Sequence, residues 1–183
     1  QLARKFDNLG AHPIPVLKAR VKDFDAVHSP HFSAYGSIPA TLHYHAGVEA
    51  TLFTNWLNDE QLARMHETEV SAENYHYVRI DGITLDIAFG ARLTSVYAYI
   101  SSRGALCHDG KPLGLAAVST TGRAWPEISQ NGVQALARDR LSPGTALEVF
   151  ITENVDKIET RRARIKQLAQ DALPFGYPAT RIQ

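Results

Sequence analysis

The residue whose type and position most clearly invite chemistry is Glu69. It closes the stretch from Asn58 to Glu69 (NDEQLARMHETE), which reads as a short helix. Asn58 is a suitable N-cap, and Gln61 three residues later completes a capping-box pattern. Leu62, Met65 and Glu69 then fall at i, i+3 and i+7 on one face. The apolar stripe that should point inward therefore ends in a carboxylate. Such a group is costly to bury unless paired or protonated, and a carboxylate held this way is a candidate general base.

Other residues could also do chemistry. His28, His31, His43 and His45 crowd one region, and His43 and His45 share a strand face. A metal site needs three or four converging ligands, and no metal motif accompanies these four, so they read as core-edge or surface histidines and no metal is expected. Cys107 adjoins His108, but adjacent residues rarely present a nucleophile and its base to each other. Gly36-Ser37 ahead of a strand could offer backbone N–H groups to an anion or carboxylate; equally, Gly36 could only permit close packing.

These residues must be positioned by a sheet followed by helices. Leu17, Ala19 and Val21 alternate with Lys18, Arg20 and Lys22, giving a strand with one buried face. Residues 38–44 and 48–54 read as two strands joined by a turn at Ala46-Gly47. After the helix, residues 75–80 and 83–87 flank Asp81-Gly82, a strong hairpin signal. This arrangement puts Val78, Ile80, Ile83, Leu85 and Ile87 on one face. Residues 96–100 add another strand. Beyond residue 120 the pattern turns helical. Pro126 suits the first turn of a helix running toward Leu141, and Ser142-Pro143-Gly144 breaks it. Val155, Ile158, Ile165, Leu168 and Ala172 mark a long amphipathic helix, with Arg161, Arg162, Arg164 and Lys166 off its stripe, ended by Pro174. The tail to Gln183 reads as an extended surface arm. The expected class is α+β, in two parts: residues 1–120 and a helical C-terminal extension, 121–183, packed on it.

Composition narrows the partners. Lys+Arg and Asp+Glu number 19 each in 183 residues, so the formal net charge is zero. That balance leaves no electrostatic footprint for nucleic acid or a membrane surface. There is no run of about 18 apolar residues. A single cysteine fits a reducing, cytoplasmic setting. Residue 1 is Gln and the only methionine is Met65, so an upstream segment is expected to have been removed or to lie outside this sequence.

Taken in order, these pieces resemble the gamma-glutamylcyclotransferase-like family over about residues 8–105. The resemblance rests on the strand from Val16 to Asp25, then GSIPATL (36–42), GVEATLFTNWL (47–57), QLARMHETE (61–69), and Asn74-Tyr75 with the strands that follow. It implies a small, mixed β-barrel-like sheet with packed helices. It also implies a cofactor-independent enzyme of γ-glutamyl metabolism, in which the family's catalytic Glu falls on Glu69 and its following Tyr on Tyr75. The family reaction is cyclisation: the α-amine of a γ-glutamyl group attacks the γ-carbonyl, giving 5-oxoproline and a released amine or amino acid. Two departures stand out. The family's N-terminal Tyr-Gly-Ser loop, which holds the acyl group, is not seen ahead of Leu9. Tyr35-Gly36-Ser37 matches it in letters, but lies too close to Glu69 for the family layout. In addition, His66 stands where the family commonly has Asp. Gly36, Ser37 and Tyr75 are taken as substrate-binding candidates. The alternative is a non-catalytic member that binds a small molecule or a partner, and the C-terminal helix is compatible with a homodimer.

Overall fold

A computed structural model of the chain describes residues 13–69 and 74–183; residues 8–12, where the resemblance begins, lie outside them. Four long strands carry the fold: β1 Val16–His28, β2 Ala40–Asn55, β3 Tyr75–Ile87 and β4 Arg92–Ser101. Six two-residue strands follow: β5 Cys107–His108, β6 Lys111–Pro112, β7 Gly114–Leu115, β8 Thr120–Thr121, β9 Glu127–Ile128 and β10 Thr180–Arg181. Helix α1, Asp59–Glu69, links β2 to β3, while α2 Gln130–Leu141, α3 Leu147–Asp156 and α4 Ile158–Leu168 come later. The class is α+β, as expected. The large sheet runs in the order β10-β3-β1-β2-β8, with β4 on β3 and β7 between β1 and β9.

Closure is where expectation and structure part. Among the described residues β4 pairs with β3 and no ladder joins it to β2, so the sheet is not closed into a barrel. The seam between β2 and β4 is bordered by side chains instead. Leu52, Phe53, Val96 and Ala98 line a cavity of about 160 Å³ there.

Two signals for turns prove to be bends inside continuous strands. β2 runs straight through Ala46-Gly47. Gly47 has φ +86 and Asp23 opposite it φ 64, and the register slips so that Phe24 faces both Tyr44 and Glu49. The Gly47 N–H donates to Asp23 Oδ1 at 2.8 Å, which ties the two irregularities together. β3 likewise runs through Asp81-Gly82. Its first half pairs with β4 and its last residues with both β4 and β1, so the two halves never pair with each other as a hairpin requires. The expected face nonetheless survives: Val78, Ile80, Ile83, Leu85 and Ile87 are all buried in one core with Ala19, Val21 and Phe24. The irregularity at Gly82 (φ +73) changes the strand's parity, so residues three apart return to one side.

The C-terminal third also departs in detail. Helix α2 begins at Gln130, where the Ser129 hydroxyl accepts the Gly132 N–H at 3.2 Å; Pro126 sits earlier, its carbonyl accepting from Gly114 N–H. The long amphipathic helix divides at Lys157. Arg161 Nη1 donates to the terminal carbonyls of Asn154 and Val155 at the break. Arg164 is buried rather than off the apolar stripe: it lies 4.3 Å from the Phe150 ring centroid and pairs with Glu153 at 2.7 Å. The tail is an exposed, extended arm, as expected, and it is anchored to the sheet. It adds β10 to β3 at Val78 and Arg79, and Phe175 and Tyr177 pack on Phe24 at 6.0 and 5.1 Å. A second core joins Phe32, Ile38, Leu106 and Leu113 to Val133, Phe150 and Leu168 of the helices.

One buried ion pair couples the sheet to the segment after it. Asp25, fully buried in β1, accepts from Arg123 Nε (2.7 Å) and Nη2 (2.9 Å), Thr120 Oγ1 (2.8 Å) and Trp125 Nε1 (3.1 Å). Four donors satisfy a carboxylate that would otherwise be prohibitively desolvated. Asp25→Ala would leave the buried Arg123 guanidinium with only the exposed Glu127 as an ionic partner, at 2.7 Å, and should lower the unfolding free energy by about 3–5 kcal/mol in urea titrations. A loss below about 1 kcal/mol would mean that the pair carries no such role.

Candidate functional site

The site is built on α1 and the ends of the strands it connects. Asn58 N–H donates to Gln61 Oε1 at 3.0 Å and Gln61 N–H to Asn58 Oδ1 at 2.8 Å, the reciprocal bonds of a capping box. This fixes where the helix starts; Glu69 is its eleventh residue. Met65 is buried, while Leu62 and Glu69 are half-buried on the same face. His66 docks the helix sideways onto the sheet. Its Nδ1 is hydrogen-bonded to Tyr99 Oη at 2.8 Å, and its ring lies 4.6 Å from that of Tyr77. The residue that departs from the family pattern is therefore employed in packing α1 against aromatic side chains of β3 and β4.

Glu69 borders a cleft of about 1030 Å³ whose wall includes Trp56, Tyr75, Tyr77, Tyr97 and Tyr99. Tyr75 and Glu69 are thus brought together. The Tyr75 hydroxyl donates to the Ala40 carbonyl at 2.8 Å, which holds the ring against the start of β2. Burial pushes the Tyr75 phenol above its ordinary range, and the Glu69 charge pushes it further. The Tyr99 phenol is raised by burial, then by Tyr77, then by Glu69. Both stay protonated through neutral pH, so the cleft holds neutral phenols, each hydroxyl already hydrogen-bonded, beside a carboxylate.

Gly36 and Ser37 are placed elsewhere. Gly36 has φ +76, and a Cβ there would meet Ile151 and Val155 of α3 at 3.0 and 3.1 Å. Its N–H donates to the Ser33 carbonyl and the Ser37 N–H to Ser33 Oγ. Gln134 Nε2 donates to the Gly36 carbonyl at 2.8 Å. Both backbone N–H groups are consumed inside the turn, and the turn docks α2 and α3. Neither residue is part of the cleft wall. For Gly36 the close-packing reading applies.

The histidines do not converge, and no group of three His, Cys, Asp or Glu side chains among the described residues is placed to hold a metal. His28 Nε2 is bonded to the Ile128 carbonyl at 3.1 Å. The rings of His43 and His45 lie 6.1 and 4.9 Å from that of Trp125. Cys107 is buried, while His108 is exposed and pairs with Asp109.

His31 belongs to a buried polar chain behind the cleft. Ser29 Oγ donates to Ser101 Oγ at 2.8 Å and is bonded to His31 Nδ1 at 2.8 Å. Ser101 N–H donates to Thr41 Oγ1 at 3.0 Å. With the Ser29 proton directed to Ser101, Ser29 accepts from His31 Nδ1–H. Its ring lies edge-on to Tyr75, centroids 5.5 Å apart. Nothing in the spacing of Ser29, Thr41 and Ser101 marks this chain, because β2, β4 and the segment just after β1 assemble it. The pairing of Tyr97 and Tyr99 on one face, by contrast, follows from strand alternation.

No family model, curated protein or solved structure matches the chain. Among the described residues no helix is long and apolar enough to cross a membrane.

Burial, and then the Arg103 charge, lower the His31 pKa from 6.5 to about 4. The unfolded chain takes up this proton near 6.5 and the folded chain only near 4. Between those values the unfolded state binds more protons, so stability falls as pH drops through the window. The span of 2.5 units (6.5 − 4) corresponds to about 3 kcal/mol when fully developed. Urea unfolding at pH 7 and pH 4.5 should show a clearly shallower loss for His31→Gln than for the parent. Equal pH slopes would contradict the buried neutral imidazole.

Proposed function

We propose that the chain is a gamma-glutamylcyclotransferase-like enzyme that cleaves a γ-glutamyl or similar aminoacyl amide with Glu69 as general base. The observation that supports this most is the meeting of Glu69 and Tyr75 in one large cleft, at the positions the resemblance assigns to the family's Glu and Tyr. A half-buried carboxylate among protonated phenols suits binding of a substrate α-ammonium.

In the proposed reaction the α-ammonium of the γ-glutamyl group gives a proton to Glu69, and the freed amine attacks the γ-carbonyl carbon. A five-membered ring closes as the new C–N bond forms. The original amide C–N bond then breaks, and its nitrogen receives the proton held by Glu69 together with the second proton shed by the attacking nitrogen. The products are 5-oxoproline, with one lactam N–H, and the leaving amine as its ammonium ion. No oxidant or cofactor enters this balance. Placing the amine against the carbonyl supplies much of the acceleration, because ring closure is intramolecular. The reading carries with it a cytoplasmic setting, in keeping with the single, buried Cys107.

One observation favours the non-catalytic alternative, a small-molecule or partner-binding member of the same fold. The Gly36-Ser37 turn lies off the cleft, so it does not supply a backbone loop to hold the acyl group. A single variant separates the two. Glu69→Gln keeps the shape and hydrogen-bonding capacity of the side chain but cannot take a proton. 5-Oxoproline release from a panel of γ-glutamyl amines and dipeptides should fall by about 10²–10⁴-fold while the circular dichroism spectrum is unchanged. Turnover equal to that of the parent would remove Glu69 from the role of base.

A further inference from the structure

A second space lies behind the cleft. Side chains alternate across a strand, so β3 and β4 give Tyr75, Tyr77, Tyr97 and Tyr99 to the cleft and His76, Val78 and Ile100 to the other face. β10 follows the same rule: Ile182 borders the cleft, and Arg181 the space behind it. That space is a pocket of about 520 Å³, walled by the turn from Ser101 to Gly104 and by the tail over 172–181. Turn and tail are held against each other. Ala105 and Leu173 exchange backbone hydrogen bonds at 2.8 and 3.0 Å, and a Cβ at Gly104 would collide with the Leu173 carbonyl.

We propose that this pocket binds a small organic oxyanion, a phosphate or carboxylate carried on an aryl or other apolar body. The proposal is independent of the cyclotransferase reading and uses no part of the cleft.

Among the described residues three cationic or protonatable side chains border the pocket: His76 in its floor, Arg103 on the turn and Arg181 on β10. The topology brings them together from three places in the chain. Arg181 pairs with Val78 across β10 and β3, which sets it diagonally from His76 on one face. Their nearness is felt by the imidazole: burial lowers its pKa first, and the Arg181 charge lowers it further. Arg103 is held in place, its Nη1 donating to Asn74 Oδ1 at 2.7 Å and its backbone N–H to Ser101 Oγ at 3.2 Å. A guanidinium is planar, always charged and presents paired N–H groups that match the oxygens of a carboxylate or phosphate. Gathering like charges costs Coulomb energy, which an anion between them relieves.

The apolar body has its own wall. Val78 and Ile100 belong to the buried core, and Phe175 and Tyr177 pack on Phe24 beneath it. A pocket of this volume, with mainly apolar walls and a few placed polar groups, has the general form of a small-molecule site.

Phenyl phosphate is a probe with both parts. Calorimetric titration of the full chain should show one saturable site, about tenfold tighter than for inorganic phosphate, because the ring is buried as well. Arg181→Gln and Arg103→Gln should each weaken binding by about tenfold or more, while Glu69→Gln leaves it unchanged. Arg103 is tied into a turn, but Arg181 lies exposed on a two-residue edge strand. Its variant should therefore keep the parent's circular dichroism spectrum and test the site without disturbing the fold. Absence of saturable binding, or equal affinity in the parent and both arginine variants, would overturn the proposal. Binding lost in Glu69→Gln would place the anion in the cleft and overturn it too. Inorganic phosphate bound as tightly as phenyl phosphate would remove the apolar body from it. Vesicles of phosphatidic acid and phosphatidylcholine should leave the chain in the supernatant on sedimentation; co-sedimentation lost in Arg181→Gln would assign the site to a lipid headgroup instead of a small molecule.

Discussion

The interaction on which the most structure depends is the buried pairing of Asp25 with Arg123. Asp25 lies just past the bend of β1, where the strand stops having one wet face and becomes buried on both. An ionised carboxylate in that position is untenable alone, and its four donors all come from residues 120–125. The pair therefore fixes the path of the chain between the sheet and the helices. β8 reaches β2 and β7 reaches β1 around it. Gly114 is part of the same arrangement, because a Cβ there would lie 2.7 Å from Arg123 Nε.

The second constraint is geometric. β1, β2 and β3 are long strands that bend at left-handed or glycine positions instead of ending there. The first core lies under β1 and β3, while the second is built by residues between the strands, Phe32, Ile38, Leu106 and Leu113, packed against α2, α3 and α4. Among the described residues the edge of β4 is unpaired with β2, and the cleft beside Glu69 opens toward that seam. The candidate site is thus a consequence of incomplete closure. Helix α1 bridges the two strands whose ends border the cleft, and its capping box and His66 contacts set where its last residue falls.

Much of this was legible in the residues, and the failures have physical causes. The capping box at Asn58 and Gln61 and the inward stripe of Leu62, Met65 and Glu69 are local features, and local rules described them. The face shared by Val78, Ile80, Ile83, Leu85 and Ile87 was also legible. The hairpin drawn through Asp81-Gly82 was not formed, because a glycine at positive φ serves a bulge as well as a turn, and only the identity of the pairing partners separates them. Arg164 escaped because its burial depends on Phe150 and Glu153 one helix away. The Asp25 cluster and the Ser29–His31–Ser101 chain join residues 70 to 100 positions apart, and no periodicity announces such contacts. Gly36 and Ser37 misled by their letters: the same tripeptide serves here to dock helices.

What gives the cleft its proposed chemistry is one carboxylate, Glu69, beside a wall that among the described residues is aromatic, aliphatic or neutral polar. The α-ammonium of a γ-glutamyl group would pair with that carboxylate, while its α-carboxylate, on the same carbon, has to point away from Glu69. The most direct measurement is a crystal structure of the Glu69→Gln variant soaked with γ-glutamyl-phenethylamide, which the variant should bind without turning over. The expected result has the α-nitrogen within about 2.6–3.2 Å of the side chain at position 69 and about 3–3.5 Å from the γ-carbonyl carbon. A ligand bound with its α-nitrogen turned away from position 69, or bound outside the cleft, would contradict the assignment of Glu69 as the base.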